Sequence, residues 1–328
     1  MNKYIRIKTQ KMATTLHPKP VLKWVGGKSK IMDVILNAYP RKISDYYEPF
    51  VGGGSVLIAV LSAQKAGNIT ITGKVVAGDA NVDLIDMYRA IKSQPDDLIE
   101  ALSVLVSDFA SAAADDRSAL FYESRGAFNE LCRRRDTKTF IKKSALFIFL
   151  NKTCFRGIYR TGPNGFNVPY GNPKTLTATT IFDESNLRAV SDLFQNVEFR
   201  AESFEVTLGK CVVKPGDFVY MDPPYVPVSK SSFVGYTRDG FGEALHTALF
   251  KMCADFGHLG VQFAMSNSHA VLSATDTFND PSKFSVREVL CRRAINSRDP
   301  ASQCLEVLIS GQCPESGLSP RRIQSQSP

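Results

Sequence analysis

The chain is poor in the residues that build metal and disulfide sites. Its 328 residues include seven cysteines and four histidines. The cysteines (Cys132, Cys154, Cys211, Cys253, Cys291, Cys304 and Cys313) form no closely spaced pair. That dispersal speaks against a disulfide scaffold or a zinc module and for reduced thiols, and no metal is expected. Long apolar runs are missing too. A stretch such as ALFIFL at 145–150 falls far short of the roughly 20 residues needed to span a bilayer, so no membrane association is expected. The opening MNKYIRIKTQKM is basic and has no apolar signal region, which makes an intracellular, soluble protein the expectation.

What the chain does have is concentrated positive charge. The formal net charge is +8. Residues 117–160 carry 11 Lys or Arg and 3 Asp or Glu, so 11 − 3 = +8 falls within that one segment. A solvated basic helix would look the same in isolation. Set between two motifs rich in glycine and proline, the segment points to nucleic acid.

Along the chain, residues 1–19 read as a disordered basic leader. VLKWVGGKSKIMDVILNAYP then gives a tight loop and a helix with Ile31, Ile35 and Leu36 on one side, ended by Pro40. DYYEPF (45–50) reads as a strand, VGGGS as a turn, 56–65 as a helix, VVAGD (75–79) as a strand, and 83–91 as a helix. This is the opening of a doubly wound, Rossmann-like α/β sheet. Residues 92–150 look helical. In NKTCFRGIYRTGPNGFNVPYG (151–171), GPNG is a turn between two short aromatic segments, predicting a basic hairpin. Strand patterns resume at 196–199, 218–221 and 261–266, and those at 284–290 and 303–309 suit an antiparallel edge pair. The expected layout is therefore an α/β part at 20–91, a helical lobe with a basic hairpin at 92–190, a second α/β part at 191–311, and a disordered tail at 312–328.

In FVGGGS, three glycines where a strand gives way to a helix bring backbone close to a ligand, although a simple turn has the same composition. Asp79 ends the next strand, 27 residues beyond Gly52. That is roughly where such a sheet sets a carboxylate against ribose hydroxyls; a helix cap is the other reading. KWVGGKSK (23–30) has the wrong spacing for a phosphate loop. Trp24 reads either as a packed core aromatic or as a neighbour of a bound adenine or methyl donor. Lys28, after two glycines, reads as a flexible cation able to meet a cofactor, a base or a backbone phosphate.

DFVYMDPPY (217–225) sets an aspartate just beyond an apolar strand, at the edge where open α/β sheets bind ligands. Pro223 and Pro224 lack N–H donors and leave carbonyls to accept. Tyr225 offers a planar face. Asp222 and a prolyl carbonyl would accept the two hydrogens of an exocyclic amine while Tyr225 stacks on its ring. As the amine attacks an electrophilic methyl group it becomes positively charged, and the carboxylate and carbonyl favour that charge where it develops. A rigid capped turn would explain the prolines, but not Asp, Pro, Pro and Tyr in a row.

Taken together, KWVGGKSK (23–30), EPFVGGG (48–54), DAN (79–81), NKTCFRGIYR (151–160), FNVPYG (166–171) and DPPYVPVSKSSFVGYT (222–237) resemble the Dam-type, D12 class of DNA adenine-N6 methyltransferases in its alpha arrangement. The likeness covers roughly residues 20–310. It implies S-adenosyl-L-methionine as methyl donor, double-stranded DNA as partner, and a location in the cytoplasm of a prokaryote or of a virus- or phage-infected cell. By the resemblance, Trp24, Lys28, Phe50, Gly52, Gly53, Gly54, Asp79 and Asp222 meet the cofactor, and Asp222, Pro223, Pro224 and Tyr225 carry the chemistry. The lobe at 92–190 becomes the target-recognition part. SNS (266–268) matches a late strand end, RRAINSR (292–298) the loop before the last strand pair, and SKSSFVGYTRDGF (229–241) a segment that closes over a flipped base. Many relatives have Asn-Gly where this chain has Arg156-Gly157. GATC is the family's commonest target, and the departure at Arg156 leaves another short palindrome such as CATG open. A restriction endonuclease acting on the same site is a natural companion.

For DNA contact the expected residues are Arg133, Arg134 and Arg135, whose run suits phosphates, and Arg156 and Arg160 in or beside the hairpin, which suit base edges. The DPPY chemistry serves a cytosine amine in DNA, or a base in RNA, as well as an adenine. A DNA-binding module without activity has no use for DPPY, and a nicotinamide oxidoreductase would show the G-x-G-x-x-G spacing.

Overall fold

The computed structural model describes residues 18–134, 139–172, 177–211, 213–227, 240–292 and 303–311. All of the expected leader but residues 18 and 19, the expected tail, Arg135, nearly all of the 229–241 segment and all of RRAINSR but its first residue lie outside them.

Seven strands form the main sheet. They are β1 (Tyr46–Glu48), β2 (Val75–Asp79), β3 (Val197–Ala201), β4 (Phe218–Met221), β5 (Gln262–Ser268), β6 (Phe284–Arg292) and β7 (Gln303–Gly311). Their spatial order is β6-β7-β5-β4-β1-β2-β3. Strands β1 to β5 pair in parallel, whereas β7 runs antiparallel to both β5 and β6. The last two strands do form an antiparallel pair, as expected, with β7 on the inner side. From β1 the chain builds outward to β2 and β3, then returns to lay β4 and β5 on the other flank. The reversal makes the carboxyl ends of β1 and β4 a topological switch point, where open sheets of this kind bind ligands. EPFVGGG leaves β1, and DPPY leaves β4.

Alternation along the strands assigns their side chains to two cores. Tyr46 and Tyr220 point into one, and Tyr47, Val219 and Met221 into the other. Helices α1 (Ser55–Lys65) and α2 (Val82–Ser93) cover the first face. That core continues without a break into the lobe, through Phe109, Phe128 and Phe149 of helices α3 (Pro95–Ser111), α4 (Asp116–Arg134) and α5 (Phe140–Thr153). ALFIFL is the centre of α5, buried at every residue, as a helix apolar all round must be. The expected break at residue 190 falls inside helix α6 (Glu184–Phe194), which packs on α2. The second face is covered by α7 (Glu243–Leu259) through Leu249, Phe250, Cys253 and Phe256.

The helix expected to run up to Pro40 is shorter, Met32–Leu36. The N–H groups of Ala38 and Tyr39 bond three residues back, which tightens the last turn and swings Tyr39 into the core. The hairpin forms where GPNG predicts it, with Thr161–Gly162 pairing to Gly165–Phe166.

Candidate active site

Each glycine of the turn after β1 has its own reason. Gly52 and Gly54 adopt φ of 47° and 72°, the left-handed region that favours glycine. A β-carbon on Gly53 would stand 2.6 Å from that of Trp24. Two side chains hold the turn from outside. Tyr88 donates its hydroxyl to the Gly52 carbonyl at 2.7 Å. Asp79, at the tip of β2, accepts from Gly52 N at 3.1 Å and from Asn81 N at 2.9 Å. The helix cap is Asn81, whose side chain accepts from Leu84 N at 3.1 Å, so Asp79 is not the cap. Burial pushes the Asp79 carboxyl up to about 6 against both of those bonds. Each of its oxygens keeps a lone pair for a further donor.

Trp24 is packed between the glycine turn and the lobe. Its ring stacks on Tyr159 at 5.9 Å between centroids and meets Phe147 at 6.4 Å. Tyr159 in turn donates to Asp83 of α2 at 3.0 Å. Phe50 stacks on Phe204 at 5.2 Å and meets Phe241 edge-on at 5.8 Å, forming an aromatic wall beside the turn.

Lys28 is not the flexible cation expected from its glycines. Its ammonium lies 2.7 Å from Asp222 Oδ2 and donates to the Gly26 carbonyl at 2.7 Å. It also sits 5.1 Å from the centre of the Tyr225 ring, within cation–π range. Its side chain is 5% exposed against 22% for Asp222, so the carboxylate is the member that faces the opening. Burial raises the Asp222 pKa, and the Lys28 charge opposes that rise. A carboxylate held this way is a strong hydrogen-bond acceptor that stays paired.

Three groups pin the chain beyond the prolines. Val226 N donates to Asn267 Oδ1 at 3.0 Å, and Ser268 Oγ donates to the Val226 carbonyl at 2.7 Å. Tyr225 donates its hydroxyl to Glu306 Oε2 at 2.9 Å. SNS was expected only as a strand end; its asparagine and serine are a clamp on DPPYV. Glu306 was not foreseen, and neither was Glu48. Glu48 is 1% exposed, accepts from the Tyr46 hydroxyl at 2.7 Å, and takes the Leu57 N–H in the first turn of α1. Gly54, the N-cap of α1, has no side chain to do this. Burial pushes Glu48 up to about 8, and the neighbouring Asp222 charge adds to the rise.

The expected DNA-contacting residues occupy the lobe. Arg133 and Arg134 lie at the exposed end of α4, both paired with Glu130. One turn earlier on α4, Asn129 bonds both the N–H and the carbonyl of Phe166, tying the hairpin to that helix. Arg160 reaches across the hairpin to Asn167 at 2.7 Å. Arg156 has φ 58°, and its guanidinium covers the exposed Phe155 ring at 5.2 Å. Nearby, burial pushes the Lys152 ammonium down to about 8, with Lys23 adding like-charge repulsion.

A family model described as D12 class N6 adenine-specific DNA methyltransferase matches residues 24–294, spanning both strand-end loops and the lobe between them. The chain belongs to this class. A type II methyltransferase, M.MjaIII, of Methanocaldococcus jannaschii is 38% identical over 291 residues, covering 85% of this chain and 93% of that one. The DNA adenine methylase of Haemophilus influenzae is 32% identical over 249 residues, covering 75% and 77%. M1.LlaDCHI, a type II methyltransferase of Lactococcus lactis, is 28% identical over 298 residues, covering 89% and 95%. The resemblance in the strand-end motifs thus extends to a DNA adenine methyltransferase over most of the chain. No described helix is long and apolar enough to cross a membrane.

Proposed function

We propose that this methyltransferase transfers a methyl group from S-adenosyl-L-methionine to N6 of an adenine flipped out of a short palindromic duplex site. The observation that carries the reading is the Lys28–Asp222–Tyr225 cluster beside the glycine turn, at the sheet's switch point.

The donor set suits that cofactor. Lys28 and Asp222 offer both signs to a group that carries an ammonium and a carboxylate. Asp79 keeps lone pairs for a ribose diol, and the glycine turn lets backbone approach closely. Trp24 and Phe50 wall the pocket. When bound, the cofactor supplies an electrophilic methyl on a sulfonium. The chain's own residues do the rest. Asp222 and the Pro223 carbonyl accept the two N6 hydrogens and aim the nitrogen lone pair. They stabilise the positive charge that grows on N6, in a site too dry for water to do so. Pro224 stiffens the turn, and Tyr225 stacks on the base. The adenine must leave the duplex because its amine is otherwise engaged in pairing.

In the lobe, Arg133 and Arg134 suit phosphates, and the hairpin carries Arg156 and Arg160 toward base edges. GATC is the first candidate site, and Arg156 makes CATG the second. Protection against a restriction endonuclease of the same specificity is the favoured role. Two relatives named type II methyltransferases, M.MjaIII and M1.LlaDCHI, support it.

The test is single-molecule sequencing of unmethylated plasmid DNA after incubation with purified protein and S-adenosyl-L-methionine. N6-methyladenine at one palindrome is the expected result. N4-methylcytosine, or methylation only of RNA, would overturn the assignment. Asp222→Ala should abolish the signal in a folded protein.

A further inference from the structure

The Tyr225 ring is held at both ends. Asn267 and Ser268 fix the backbone that follows it, through Val226 N and the Val226 carbonyl. Glu306 fixes the far end of the ring, through the phenolic hydroxyl at 2.9 Å. A phenol's oxygen lies on the axis of its ring, so with Cα and hydroxyl both tied χ1 is set and the ring cannot swing away from its place.

The direction of β7 is what brings Glu306 there. In register, Glu306 stands opposite Ser268, at the carboxyl end of β5. Because β7 runs antiparallel, an early residue of that strand lies beside the late residues of its neighbour. The acid therefore reaches the ligand edge of the sheet from a position 81 residues beyond Tyr225 in the chain. The same ring flanks the Lys28 ammonium, itself paired with Asp222. One carboxylate thus sets where the ring stands beside the reacting groups.

We infer that Glu306 is a positioning residue for methyl transfer: its carboxylate fixes the place at which Tyr225 presents its ring to the extruded base. The inference rests on the stacking role proposed for Tyr225 above. Glu306 itself touches neither base nor cofactor in this role. It acts through the tyrosine hydroxyl.

The experiment is a double-mutant cycle on the full chain, read as the single-turnover methylation rate. It uses Tyr225→Phe, Glu306→Leu, Glu306→Gln and the Tyr225→Phe/Glu306→Leu double variant. It is run on whichever base the wild-type protein is found to methylate. A failure of the adenine reading then appears in the wild type, and a failure of the Glu306 inference in the variants alone. Tyr225→Phe and Glu306→Leu should each slow transfer about tenfold, the loss of one hydrogen bond to a charged acceptor. The double variant should be no slower than the worse single variant. Glu306→Gln should stay within about threefold of wild type, since its amide oxygen still accepts. Titrated cofactor affinity should be unchanged throughout. Multiplying losses, a glutamine variant as slow as the leucine one, or lost cofactor affinity would overturn the inference. Should Glu306→Leu fail to fold, Tyr225→Phe probes the same bond from its other end, and a wild-type rate there overturns the inference equally.

Discussion

Trp24 lies directly against the backbone of Gly53, so close that a β-carbon there would come within 2.6 Å of the tryptophan's own. The same indole stacks on Tyr159 of the lobe. The glycine turn is therefore wedged between Asp79 on one side and a lobe-supported aromatic on the other.

Gly53→Ala should destabilise the protein by roughly 1–3 kcal/mol, the usual range for overpacking, and weaken cofactor binding at least tenfold. Gly126→Ala is the contrasting control. That glycine sits in α4 with nothing within 4 Å of its added carbon, and the change should stabilise by about 0.5–1 kcal/mol. Thermal melts and cofactor titration check both. Equal behaviour of the two variants would remove the wedge from the account.

The Lys28–Asp222 pair predicts a pH signature. Burial raises the Asp222 pKa and Lys28 lowers it, and the proposed mechanism uses the carboxylate. Removing the cation in Lys28→Met takes away the main effect that opposes burial, so the acid limb of kcat/KM should move to higher pH. The profile is measured at saturating cofactor, because Lys28 is also proposed to meet the cofactor. A limb that stays put, or moves to lower pH, would mean that Lys28 is not the counter-ion.

Glu48 gives a stability prediction of opposite sense to the usual carboxylate. Its folded pKa, about 8, lies above the ordinary glutamate value of 4.5. The folded chain then holds a proton that the unfolded chain has released between those two values. Stability from this group is full below about pH 4.5 and falls as pH rises toward 8. Glu48→Gln should flatten that fall. Urea midpoints at pH 5 and pH 8 test it, and a variant whose midpoint still drops by the wild-type amount would refute the assignment.

Arg156 occupies a left-handed conformation at φ 58°, which costs an L-residue about 1–2 kcal/mol relative to ordinary backbone. Arg156→Asn should recover roughly 0.5–1 kcal/mol of stability. If this arginine reads a base edge, the same change should narrow the gap between cognate and single-mismatch sites by roughly 1–3 kcal/mol. Arg160→Ala should do the latter without the former. Melting temperatures and methylation rates over a panel of singly substituted duplexes separate the two effects. If every duplex in the panel loses rate equally, the loop only positions the DNA.

Much of the site was legible because it is local. Strand β4 ends at Met221, immediately before Asp222, as the apolar run FVYM indicates, and the hairpin forms on GPNG. The turn after β1 could be read from its glycines alone. What escaped was whatever depends on distant partners. Lys28 looks mobile beside two glycines, and only the fold shows it buried against a carboxylate 222 − 28 = 194 residues away. Glu306 is a lone acid among the apolar residues of QCLEVLI, and its service to Tyr225 follows from the antiparallel register of β7. Glu48 sits inside a motif that was recognised, yet its role as a substitute cap for α1 needs Leu57 in space. The packing of α6 on α2 is likewise something that no local pattern declares.

The place of β7 between β5 and β6 also has a consequence for the nascent chain. Residues 303–311 are made after every other described strand, yet they fill an interior slot of the sheet. Until they emerge from the ribosome, β5 has no partner on that flank and β6 has none among the main-sheet strands. The acid opposite Tyr225 arrives with them. Assembly of this edge therefore waits for that strand, and a chain stalled before residue 303 holds Asp222 and Tyr225 without the strand that braces them.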